Sequence, residues 1–152
     1  MRILVVLSAI CAALMLAPTP ASEENAGAIL YLNSGKLLPA SLPFSEAVSV
    51  GNLLLLSGQI GIVPGTMKLV DGGMAAEARQ TMANIRTVLE AHGYAMNDLV
   101  KCTVMLADMT EWAAFNDEYR RHFSDHFPAR SAFGANGLAL GARVEVECIA
   151  AR

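Results

Sequence analysis

Phe127-Pro128-Ala129-Arg130-Ser131, followed by Arg143-Val144-Glu145-Val146-Glu147-Cys148-Ile149-Ala150, is the part of the chain whose reading decides the fold. An arginine stands just after a proline at the head of an apolar strand. Glu145 and Glu147 sit at i and i+2 of a second apolar strand, so both carboxylates point to one face. The intervening Asn136-Gly137-Leu138-Ala139-Leu140-Gly141-Ala142 carries the Gly and Asn punctuation of a connecting loop. Pairing of the two strands as a hairpin about Ala139 places Arg130 near the end of the strand that carries Glu145 and Glu147. A guanidinium sharing a cleft with carboxylates suits gripping a substrate carboxylate while a neighbour manages a water. The same spacing also fits a structural ion pair at a strand end, and spacing alone favours that reading.

Working outward, the preceding segments alternate between helical and strand patterns. Ala78, Met82, Ile85 and Leu89 recur at helical spacing within 74–92, and Gly93 stops that helix. Leu99 to Leu106 reads as a buried strand. Thr110 is the expected cap of a second helix, whose Trp112, Phe115, Tyr119 and Phe123 form one core-facing stripe. Asp117-Glu118 and Arg120-Arg121 read as its solvated face. Earlier in the chain, 46–50 and 53–56 form a hairpin across Gly51-Asn52, Pro64-Gly65 makes the next turn, and 29–32 fits an edge strand. The order predicts an α+β domain, one mixed sheet with two helices on one face.

The chain has 152 residues, enough for one domain, with 54% hydrophobic and 16% charged residues. That composition fits a packed core and excludes a disordered tail protein. A formal charge of −3 gives no basic footprint for nucleic acid. Cys102 and Cys148 lack the spacing of a zinc site, so no metal is expected, and two buried free thiols are the expected state. His92, His122 and His126 read as surface residues, His92 at a helix C-terminus where a partly charged imidazole suits the dipole.

The first residues read as a targeting segment. Arg2 supplies a positive start, Ile3 to Ala17 is almost continuously apolar, and Pro18-Thr19-Pro20-Ala21-Ser22 offers a small-residue cleavage site. The apolar run is shorter than the ~20 residues of a typical spanning helix, which favours cleavage over a retained anchor. Cys11 follows the bulky Ile10, which disfavours lipid attachment. The expected organisation is a signal peptide over 1–21, a single domain over 22–152 beginning with a loose Ser22–Ala26, and export to a periplasmic or extracellular space.

Pro128-Ala129-Arg130-Ser131 with Val144-Glu145-Val146-Glu147 resembles the C-terminal signature of the reactive intermediate deaminase family, RidA, formerly YjgF. Four further segments resemble that family's motifs in the same order: Leu56-Ser57-Gly58-Gln59-Ile60, Asn84-Ile85, Val100-Lys101-Cys102-Thr103-Val104, and Phe115-Asn116-Asp117-Glu118-Tyr119. The resemblance covers the chain from about Leu42 onward. It implies a chorismate-mutase-like fold, a homotrimer with sites between subunits, and hydrolysis of enamines and 2-imino acids to 2-keto acids and ammonia, with no cofactor.

By that resemblance Arg130 binds the substrate carboxylate and Glu145 positions or activates water, with Glu147 the less favoured choice. Ser57, Gly58, Phe44 and Asn116 are candidate substrate-binding residues. Gly58 permits close approach of a ligand to the backbone. Ser57 has an alternative role as a strand-end hydroxyl bonded to nearby backbone, and Asn116 one as an interface hydrogen-bonding group. Two positions depart from the family pattern. Phe44 stands where many members have tyrosine, and Ala132 where many have cysteine. Those departures keep open a second reading, an exported trimeric small-molecule binding protein of this fold without efficient catalysis.

Overall fold

A computed structural model describes residues 27–152; the expected leader and Ser22–Ala26 lie outside the described residues. The strands are β1 (Ile29–Leu32), β2 (Ala47–Val50), β3 (Leu53–Leu56), β4 (Gln59–Ile60), β5 (Leu99–Leu106), β6 (Ala129–Gly134) and β7 (Val144–Ala151). The helices are α1 (Gly73–Ala91) and α2 (Trp112–Tyr119). One mixed sheet runs β1-β2-β3-β7-β5-β6, with β4 also paired to β7.

Strand alternation decides which face the helices cover. Cys102, Val104 and Leu106 of β5 and Val144, Val146, Cys148 and Ala150 of β7 are buried with Met82, Ile85 and Leu89 of α1. The intervening residues face the other way, where Leu53, Leu55 and Phe133 are exposed large apolar groups. Helix α1 ends as its sequence suggests. Gly93 takes a left-handed φ of 81°, its N–H donates to Glu90 O, and the Tyr94 N–H donates to Leu89 O, a Schellman closure. The cap before α2 is Asp108 rather than Thr110: Asp108 Oδ1 accepts from the Thr110 N–H at 2.8 Å. These bonds hold the Asp108 carboxyl below its ordinary range.

The hairpin expected between Arg130 and the Glu145 strand does not form. Strand β6 pairs parallel with β5, and β7 pairs antiparallel with the other edge of β5. Parallel neighbours need a crossover, and α2 is that crossover. Packing supplies the reason for β7's central place: four of its side chains are buried beneath the helices, whereas β6 turns only Arg130, Ala132 and Gly134 to that side.

The same register overturns the free thiols. Cys102 and Cys148 stand directly opposite each other on β5 and β7, both on the helix-facing side, and are joined by a disulfide.

Candidate active site

Strand β6 sets Arg130 opposite Cys102, and β7 sets Glu145 opposite Met105. Two strand spacings and three residues of rise separate their backbones, about 14 Å. Arg130 also faces the helices while Glu145 lies on the open face. Within one chain, therefore, the guanidinium and the carboxylate do not share a cleft, contrary to the sequence expectation. The candidate residues fall into two separate groups, two candidate half-sites.

The first half-site is built on α2. The apolar stripe of that helix is both core and platform: the Arg130 guanidinium carbon lies 4.6 Å from the Tyr119 ring centroid and 4.9 Å from that of Trp112. Arg130 Nη2 donates to Asn116 Oδ1 at 2.7 Å, and Arg130 forms no salt bridge among the described residues. That removes the intramolecular ion pair as an alternative. A guanidinium stacked on rings and pinned at one nitrogen keeps its remaining N–H groups available for a carboxylate fork. The adjoining cleft, of about 510 Å³, is lined by Asn116, Tyr119, Arg120, Phe127, Pro128 and Arg130. Burial pushes the Tyr119 hydroxyl up to about 12, so it stays protonated at neutral pH.

The second half-site forms where β3 passes into β4. From Leu55 to Gln59 the chain advances four residues while its partner strand moves three, from Ile149 to Val146. The extra residue makes a bulge at Ser57 and Gly58. A Cβ on Gly58 would sit 2.0 Å from Glu145 Oε1, so a larger residue here would push this carboxylate out of its present position. Burial, then the neighbouring Glu147, raises the Glu145 carboxyl above its ordinary range. Glu147 is the more exposed of the pair and borders a different recess with Lys101 and Thr103.

Hydrogen bonds fix the bulge. Ser57 Oγ donates to Ser45 O at 2.7 Å, and the Ser57 N–H donates to Glu46 O at 3.1 Å. The Ser57 hydroxyl proton is thus committed to backbone, the alternative that the sequence left open. Phe44 precedes these anchors and borders a small recess with Leu42, Glu46 and Gln59.

Sequence reasoning missed the polar groups that brace these halves. His92 is not a surface residue: its Nε2 lies 3.1 Å from Glu46 Oε1, with side-chain exposures of 11% and 9%. Burial lowers the pKa of His122, the second histidine misplaced on the surface, while His126 is exposed. Glu118 is buried and accepts from Arg79 Nε at 3.1 Å and Nη2 at 3.0 Å, tying α1 to α2. An acidic residue two and three positions before Arg120 and Arg121 looked solvated because its partner is 39 residues away. Among the described residues there is no cluster of three His, Cys, Asp or Glu able to hold a metal.

Comparison with known proteins finds matches over most of the chain. The Endoribonuclease L-PSP family model matches residues 35–152. A Capra hircus protein named 2-iminobutanoate/2-iminopropanoate deaminase is 43% identical over 113 residues, covering 74% of this chain and 82% of the relative. The Homo sapiens protein of that name is 39% identical over 119 residues, covering 78% and 87%. Among solved structures, RidA from an Antarctic Psychrobacter superposes with a TM-score of 0.76 at 36% identity, covering 81% of this chain and 99% of that one. Escherichia coli TdcF, solved with bound serine, gives a TM-score of 0.74 at 27% identity, covering 81% and 98%.

Proposed function

The chain belongs to the reactive intermediate deaminase family, the Endoribonuclease L-PSP family of the matching model, and on that premise we propose that it hydrolyses reactive enamines and 2-imino acids to 2-keto acids and ammonia. The carrying observation is Arg130, stacked on aromatic rings and without an internal carboxylate partner. It grips the substrate carboxylate through two parallel hydrogen bonds. Glu145 orients water toward C2, takes its proton as the carbinolamine forms, and returns one as ammonia leaves. A carboxyl raised by burial is a stronger base than an ordinary carboxylate, which favours taking the water's proton. Gly58 makes the space in which that carboxylate sits.

The two halves lie on opposite faces of one sheet, so a complete site needs a second copy. A homotrimer meets that need when the open sheet face of one subunit packs beside the Arg130 cleft of the next. The exposed Leu53, Leu55 and Phe133 support burial of that face. Purified protein supplied with imines generated in situ by an amino-acid oxidase is the direct assay; unchanged imine lifetimes would reject the activity.

The Cys102–Cys148 disulfide supports export, because such bonds persist in oxidising compartments. The apolar run and small-residue site in the sequence of residues 1–21 support it too. Phe44, lacking a tyrosine hydroxyl, and Ala132, lacking a thiol, favour the second reading, a binding protein that keeps the cleft without efficient turnover. RNA cleavage, named in the family model's description, is not adopted, since the net charge is −3.

A further inference from the structure

Arg130 is not the only guanidinium in its cleft. Arg120, on the turn that follows α2, lines the same space of about 510 Å³. Both arginines are tethered to one residue: Asn116 Oδ1 accepts from Arg130 Nη2 at 2.7 Å, and Asn116 O accepts from Arg120 Nε at 3.3 Å. No acidic residue lines the cleft. Among the described residues the carboxylate paired with Arg120 is Asp117 at 3.7 Å, on side chains that are 65% and 73% exposed. An ion pair that exposed is weak and easily exchanged for a ligand. Two guanidinium groups lining one cleft, with no acidic residue in that lining and only an exposed pair to Asp117, suit two negative groups.

Resting on the reading of Arg130 as the carboxylate grip, we propose that Arg120 is a second carboxylate ligand and that the preferred substrates are imines of dicarboxylic amino acids. Arg130, held flat on its rings, takes the carboxylate next to the imine carbon. Arg120 takes the distal carboxylate from the mouth of the cleft, where its exposed stem can adjust to chain length. Phe127 and Pro128 line the same space and offer the competing possibility, an apolar side chain.

The test compares 2-oxoglutarate, 2-oxobutyrate and phenylpyruvate as product-like probes by calorimetry, with in situ imines of glutamate and 2-aminobutyrate followed in parallel. Wild type is expected to bind the dicarboxylate about tenfold more tightly than 2-oxobutyrate, with the larger salt dependence. Arg120→Gln is expected to abolish that ratio, and Arg120→Lys to restore part of it. Arg120 is exposed, so both variants keep the fold. Equal binding of the two aliphatic acids by wild type, an unchanged ratio in Arg120→Gln, or tightest binding of phenylpyruvate would overturn the proposal. If 2-oxobutyrate binds through Arg130 and its imine is hydrolysed while the dicarboxylate gains nothing, only the role of Arg120 falls. If no probe binds and no imine is consumed, the deaminase reading falls with it.

Discussion

Arg130 stood out as a candidate ligand-gripping residue in Pro128-Ala129-Arg130-Ser131, but its seat on Trp112 and Tyr119 was not legible. A periodic stripe says which side of a helix is buried, not which cation a neighbouring strand lays across it. Arg130→Ala is expected to abolish imine hydrolysis, and Arg130→Lys to recover little, because an ammonium cannot copy the planar fork. The loss corresponds to about 2–5 kcal/mol, tens- to thousands-fold in kcat/KM. Glu145→Gln should retain 2-keto acid binding while turnover falls, since an amide holds a water but cannot take its proton. Its pH behaviour follows from the raised carboxyl. Activity that requires ionised Glu145 is present above the folded pKa and is lost as pH falls through it, so the acid limb lies above the ordinary carboxylate range. Stability runs the opposite way. The folded chain binds this proton more tightly than the unfolded one, so ionisation of Glu145 costs stability as pH rises through that window. Glu145→Gln should therefore melt higher than wild type at neutral pH, with the advantage vanishing in acid. Equal melting temperatures at neutral pH would contradict that assignment.

At the scale of elements, both helices, the first hairpin and most strands could be read from periodicity and turn residues. Strand pairing could not. Arg130 and Glu145 belong to strands joined by a short loop, and chain proximity suggested a hairpin. The α2 crossover instead makes β6 parallel to β5, and the apolar row of β7 claims the centre of the sheet. One error of pairing concealed two facts, the separation of Arg130 from Glu145 and the opposition of Cys102 and Cys148. The disulfide closes a sequence separation of 46 residues, so replacing both cysteines by serine should lower stability by about 2–4 kcal/mol on the chain-entropy account. Denatured but unreduced protein beginning near Ser22 should show no reactive thiol, and two after reduction. Two reactive thiols before reduction would contradict the bond. A further pairing hidden in the sequence is Glu46 with His92, which braces the segment holding the Ser57–Gly58 bulge. His92→Phe should reduce kcat more than it raises KM if the bulge positions Glu145, whereas a purely structural brace would alter melting alone.

For the whole molecule, the proposed trimer rests on the apolar open face and on the separation of Arg130 from Glu145. Light scattering at micromolar concentration should give the mass of three processed chains, and N-terminal sequencing of exported material should begin near Ser22. A monomer, or an intact Met1-Arg2 on most of the protein, would contradict these readings separately. The central claim is that Arg130 of one subunit and Glu145 of another build one active site, and subunit mixing tests it most directly. Arg130→Ala and Glu145→Gln proteins, each inactive alone, are unfolded together in equal amounts, reassembled, and confirmed as mixed trimers by differential tags. A site drawing Arg130 and Glu145 from neighbouring subunits is wild type in about one quarter of random pairings, so about a quarter of wild-type imine hydrolysis should return. Mixed trimers that stay as inactive as either parent would contradict a shared site.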